Sequence, residues 1–239
     1  MSTDPGEIRT SLGRNLTYGL LDHLGKTIVT GGYEQTPFPT EAELSKQHGV
    51  SRSVTREAVK MLTTKGLLSA RPRQGTIVQP DISWNMFDPD VLRWLLERKF
   101  SLDLLREFSQ LRTAIEPAAA ALAASAADER GLASIHAGFG RMVAAERGDD
   151  DSLEADIAFH LSILNASGNR FFTQFRDVVA TALRTSIRFT NRIKGRTADL
   201  AAHEAVLRAI EARDVARART AMLRIIDDVM TLIAAPQVP

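Results

Sequence analysis

Asp156 and His160 stand four residues apart in Asp156-Ile-Ala-Phe-His160, a spacing that puts a carboxylate and an imidazole one helical turn apart on one face. Such a pair can bite a metal ion, and the same spacing also suits a surface ion pair. His203 opens a second amphipathic segment whose buried stripe is Val206, Leu207 and Ile210. A third ligand could therefore face the same helical interior, and imidazole and carboxylate together suit a divalent metal such as Zn, Ni or Mn. His203-Glu204 also begins the pattern of a zinc protease helix, but Leu207 occupies the place of the second histidine and that reading fails.

A different chemistry is concentrated between residues 40 and 78. Arg52, Arg56 and Lys60 recur every four residues and share one helix face, while Ala58, Val59 and Leu62 can pack inward. Thr40 with Glu43 forms the pattern of a capping box for a preceding helix, Gly49 supplies a turn, Ser51 is an N-cap and Gly66 a left-handed stop. Leu67 to Ala70 and Thr76 to Val78 are short strand candidates, and Arg71-Pro-Arg-Gln-Gly75 between them makes a basic wing tip. A helix, a turn, a cationic second helix and a hairpin in this order are the parts of a winged helix-turn-helix that reads double-stranded DNA. Charge agrees: residues 1 to 80 hold ten Lys/Arg against seven Asp/Glu, whereas the whole chain is formally only +1. So small a surplus neutralises few phosphates, and tight binding calls for two copies.

The elements that must position both sets follow from pattern and composition. The 239 residues allow two modest domains, and the absence of cysteine excludes disulfides, iron-sulfur clusters and thiolate chemistry. The opening Met-Ser-Thr-Asp-Pro-Gly-Glu lacks the basic start and apolar run of a signal peptide, and no 18-residue apolar stretch occurs. A cytoplasmic protein without a membrane segment is expected. Leu16, Leu20, Leu21, Leu24 and Ile28 form the stripe of a helix ahead of the reader motif. We expect a mainly α protein: a winged helix-turn-helix domain over 1–80, a linker over 81–89 acting as hinge, and an all-helical bundle over 90–239. Within the last, helices are expected over 91–97, 102–126, 128–147, 152–167, 171–191, 197–212 and 214–234. Pro117 predicts a kink or a helix start.

The reader motif, a short linker and a helical domain carrying Asp-x-x-x-His resemble the GntR family of bacterial transcription regulators, in its FadR-like branch with an FCD effector domain. The resemblance implies DNA contacts from Arg52, Ser53, Arg56, Gln74 and Gly75, and Ala42 stands where relatives often have an arginine. It implies a metal site of Asp156, His160 and His203, with Ile225 at the position of a fourth histidine, leaving three protein ligands. Arg112 matches the family arginine that helps hold an anionic effector; four residues ahead of Glu116, it also suits a salt bridge. Arg188 and Asn191, at the end of a late helix, are further candidates for polar effector contacts or plain surface residues. The stretch from Trp84 to Glu97 is similar to that of regulators of galactonate and related sugar-acid operons, which points to a sugar acid or hydroxy acid.

The expected function is thus a homodimeric repressor that releases a palindromic operator when a small carboxylate binds. Two other classes are open to these residues. A hydrolytic enzyme could be built on the three metal ligands, although no nucleophile motif or phosphate-binding glycine loop accompanies them. An architectural DNA binder would use the bundle only to dimerise.

Overall fold

The structure is a computed structural model that describes residues 5–71, 75–96, 98, 101–194 and 199–234, without the side chains of 5–14 and 188–194. The chain forms two compact units, Met1–Phe100 and Ser101–Pro239. Among the described residues, no helix is long and apolar enough to cross a membrane.

In the first unit, helix α1 (Pro5–Val29) packs on α3 (Arg52–Thr64), and α2 (Glu41–His48) packs beside α3. The local signals act as their chemistry dictates. The Thr40 hydroxyl accepts from the Glu43 amide at 3.3 Å while the Glu43 carboxylate accepts from the Thr40 amide at 2.8 Å, closing the capping box. Ser51 accepts from the Val54 amide at 3.3 Å and starts α3. Gly49 and Gly66 take positive φ of 63° and 80°, ending one helix and turning the chain after the other. Strands β1 (Leu68–Arg71) and β2 (Gly75–Val78) pair antiparallel, with Leu68 opposite Val78 and Arg71 opposite Gly75. Of the α1 stripe, Leu20, Leu21, Leu24 and Ile28 are buried, whereas Leu16 is 52% exposed and belongs to no core.

The stretch that follows β2 packs on residues of this unit. After a 3-10 turn (Asp81–Ser83), helix α4 (Pro89–Leu95) lies against α1. Lys65, following α3, bonds Asp88 at 2.7 Å and Asp90 at 2.9 Å. The Trp94 indole N–H donates to Asp22 of α1 at 2.8 Å and the ring lies over Gly25, where a Cβ would come within 2.2 Å of it. Nothing larger than glycine leaves room for that ring. The change of unit therefore falls beyond α4, between Phe100 and Ser101.

The second unit is a helical bundle: α5 (Leu102–Ala126), α6 (Glu129–Glu146), α7 (Ser152–Ala166), α8 (Arg170–Thr173), α9 (Arg176–Lys194), α10 (Leu200–Glu211) and α11 (Val215–Ala234). Helix α5 contacts α7, α9, α10 and α11, and α6 covers α7 and α10. Pro117 lies buried inside α5 and the helix runs through it; it does not begin there. Beyond it Ala119, Ala120, Ala123 and Ala124 are fully buried, small side chains that let neighbouring helices approach. The single helix expected over 171–191 is divided into α8 and α9. Asn169 caps α8 through the Phe171 amide at 2.9 Å, and i→i+3 bonds from Gln174 to Phe171 and from Phe175 to Phe172 tighten the turn out of α-helical register.

Because Trp94 is fully buried, Trp94→Ala should destabilise the first unit by about 3–5 kcal/mol. Urea unfolding followed by Trp84 fluorescence measures this; a midpoint equal to wild type would show that α4 is not part of the unit's core.

Candidate metal centre and DNA-reading surface

Asp156 and His160 project from α7, and His203 from the first turn of α10; all three are buried. Ala155, Ile157, Phe159 and Ile163 are buried around the pair, so the apolar character of α7 carries two polar side chains into the interior with it. Helix α6 closes over them because Gly138 faces α7: a Cβ there would stand 2.9 Å from the Phe159 Cα. The Phe159 ring sits edge-on to both imidazoles, at 5.8 Å from His160 and 5.4 Å from His203.

The ring nitrogens are sorted by their partners. His160 Nδ1 bonds the carboxylate of Glu116 on α5, and His203 Nδ1 donates to the Asp199 carbonyl at 2.6 Å. Both Nε2 atoms are thereby turned toward Asp156 Oδ1, at 3.4 Å from His160 and 3.1 Å from His203. Despite this proximity none of the three atoms makes a hydrogen bond, although all are buried. One ligand atom from each residue lies within 4.8 Å of the others. A buried polar atom without a partner is costly. Three that converge, two of them on rings whose far nitrogens are already anchored, form a donor set fit for a divalent cation.

Electrostatics point the same way. Arg112 Nε donates to Glu116 at 2.5 Å, with the two side chains 2% and 1% exposed. Burial opposes ionisation of Glu116, but the charges of Arg112 and His160 outweigh it and hold the carboxyl down to about 2. Burial likewise opposes ionisation of Asp156, and the two imidazoles set against it overcome that burial, keeping the carboxyl well below its usual range. For His160, burial disfavours the imidazolium, yet Glu116 and Asp156 raise it to about 9. Two buried carboxylates thus face one guanidinium. The missing positive charge comes either from a proton on His160 or from a cation among the three ligand atoms.

In the first unit, α3 buries Thr55, Ala58, Val59 and Leu62 and leaves Arg52, Ser53, Arg56 and Lys60 exposed. Arg56 is 73% exposed and pairs with Glu41 of α2 at 3.4 Å, a contact too exposed to withhold it from a phosphate or a base edge. Gly75 is exposed at the start of β2 with φ 79°; Gln74 lies outside the described residues. Arg188 and Asn191 fall in α9, and their side chains are outside the described set. Ile225, on α11, is partly buried against the bundle core.

Reasoning from sequence placed Asp156, His160 and His203 together but gave Glu116 a role only as a partner of Arg112, and passed over Asp199. The available signals were the four-residue spacing of Arg112 and Glu116 and the position of Asp199, an N-cap four residues ahead of His203.

A cationic recognition helix with a wing in one unit, and a buried polar site in a helical bundle in the other, define a DNA-binding transcription regulator. The chain matches the family of bacterial regulatory proteins, gntR family, over residues 19–78 and the FCD domain over residues 107–228. It belongs to the GntR family, in its FCD-bearing branch. It is 34% identical over 200 residues to the uncharacterized HTH-type transcriptional regulator YieP of Escherichia coli (strain K12), covering 82% of this chain and 86% of that protein. It is also 34% identical over 171 residues to the galactonate operon transcriptional repressor of the same organism, covering 71% and 75%. The solved structure of Lar, which controls the expression of the Listeria monocytogenes agr system, superposes with a TM-score of 0.59 over 91% of this chain and 95% of that one; at 17% identity it shows the fold alone. These domains and relatives are those of transcription regulators, not of enzymes.

His160→Ala and His203→Ala should each abolish stoichiometric uptake of zinc, nickel or manganese, read by elemental mass spectrometry after dialysis. Wild-type stoichiometry in both variants would place the metal elsewhere.

Proposed function

We propose that this regulator is a homodimeric repressor that grips a palindromic operator through two copies of α3 and its wing, and lets go when a small carboxylate enters the helical domain. The observation that carries the sensing half is the convergence of three buried ligand atoms without hydrogen bonds, Asp156 Oδ1, His160 Nε2 and His203 Nε2. Those atoms would hold Zn, Ni or Mn, which supplies a Lewis-acidic charge for effector oxygens. Ile225 has no lone pair to give, so the protein's share of the ligands is three.

Arg112 is the residue we assign to the effector carboxylate. Its Nε is held by Glu116, which fixes the plane of the guanidinium, and terminal guanidinium nitrogens meet a carboxylate side by side. Arg188 and Asn191 are proposed as further polar contacts. That a 34% identical relative is a galactonate operon repressor supports a sugar acid or hydroxy acid as the effector class.

At the other end, Arg52, Ser53, Arg56, Gln74 and Gly75 are assigned to DNA. Arginines positioned at the start of a recognition helix reach guanine edges and phosphates, and a two-fold dimer sets two half-sites in register. Release requires that the acid bind the arrangement of the two units that cannot hold both half-sites more tightly than the one that can.

Gel mobility of the DNA upstream of the protein's own gene, against a panel of sugar acids and hydroxy acids, tests the reading. Specific retardation released by one acid is expected; specific retardation indifferent to every acid, or turnover of an acid, would overturn it. Arg56→Ala should weaken operator binding at least tenfold, from loss of about 1–3 kcal/mol per half-site, and leave acid binding by calorimetry unchanged. Equal operator affinity would remove Arg56 from the reading surface.

A further inference from the structure

We infer that Glu116 is a positioning residue for the metal centre: through His160 Nδ1 it decides which nitrogen of that ring is presented to a cation, and it ties that choice to Arg112. The inference rests on the proposed metal reading of Asp156, His160 and His203.

Glu116 has two clients and no access to water. One carboxylate oxygen accepts from Arg112 Nε at 2.5 Å and the other bonds His160 Nδ1, with all three side chains at most 2% exposed. A carboxylate can only accept, so the proton of a neutral His160 is placed on Nδ1 and the lone pair on Nε2. Nε2 is the atom that lies unpartnered beside Asp156 and His203. The reverse tautomer would point an N–H into the site and leave Nδ1 and Glu116 facing each other with two lone pairs. His203 is oriented by different means, through the Asp199 main-chain carbonyl at 2.6 Å. The two histidines therefore differ in what a side-chain substitution can disturb: His160 is steered by a replaceable carboxylate, His203 by backbone.

Arg112 makes the arrangement stable in the interior. Its guanidinium offsets the charge of Glu116, and the four-residue spacing on α5 sets both groups on the side that faces α7. A carboxylate hydrogen-bonded to the far nitrogen of a ligating imidazole raises its basicity and fixes its orientation. By the same bonds, any shift of Arg112 toward an anion moves the carboxylate that orients His160.

The test uses full-length protein, wild type beside E116Q and E116L, with zinc affinity from chelator competition and ring states from long-range proton–nitrogen NMR of the zinc-loaded protein. The amide oxygen of E116Q can still accept from Nδ1 but carries no charge, whereas E116L accepts nothing. We expect zinc affinity to fall roughly tenfold in E116Q and about a hundredfold in E116L, and His160 in the wild type to be protonated at Nδ1 and ligated at Nε2. If E116L strands Arg112 and fails to fold, E116Q decides alone. A folded E116Q with wild-type affinity, equal losses in E116Q and E116L, or ligation through Nδ1 would each overturn the assignment. A wild type that takes up no zinc would overturn the metal reading itself, and this inference with it; uptake unaffected by Glu116 would overturn only the latter.

Discussion

Two carboxylates, Glu116 and Asp156, are ionised in the interior of a helical bundle, and the second unit is organised around supplying them with positive charge. Removing a carboxylate from water without a counter-charge costs several kcal/mol even after relaxation, on the order of a typical domain's whole stability. Arg112 answers one of the two. The other is answered only by groups whose charge is conditional: His160 and His203 stand beside Asp156, and they neutralise it as protonated rings or orient a cation that does. Three buried polar atoms of this site are left without hydrogen bonds, which fits it to receive a cation. That is the property a sensor needs and a purely structural ion pair lacks.

The first unit is settled differently. Its described polar contacts join side chains of the unit itself: Lys65 with Asp88 and Asp90, Asp22 with Arg93 and Trp94, Thr40 with Glu43. The outer face of α3 keeps Arg52, Arg56 and Lys60 exposed. Because α4 is clamped to α1 by Trp94 and to the end of α3 by Lys65, the reading surface, wing base and α4 form one body.

How much of this could be read from sequence depended on chain distance. The capping box, the Ser51 cap, the Gly66 stop and the three cations of α3 are local patterns, each settled within four residues, and they were legible. So was the Asp156–His160 pair, with spacing that a helix converts directly into proximity. Glu116 meets His160 across 44 residues and Trp94 meets Asp22 across 72; those pairings are products of helix packing that no periodicity encodes. Leu16 continued the α1 stripe in sequence and yet stays 52% exposed, because a stripe marks a face and not the length over which another element covers it. The break between α8 and α9 was hidden for a related reason: Asn169 and the tight turn after it act against an apolar pattern that runs on without interruption.

The claim on which the account turns is that the three unpartnered atoms around Asp156 are ligands for a cation. Anomalous diffraction at the zinc absorption edge, from crystals of the full-length protein grown with zinc, tests it most directly. The account predicts an anomalous peak at about 2.0–2.2 Å from Asp156 Oδ1, His160 Nε2 and His203 Nε2. A bundle interior with no anomalous density, in crystals that bind zinc only at surface carboxylates or histidines, would contradict it.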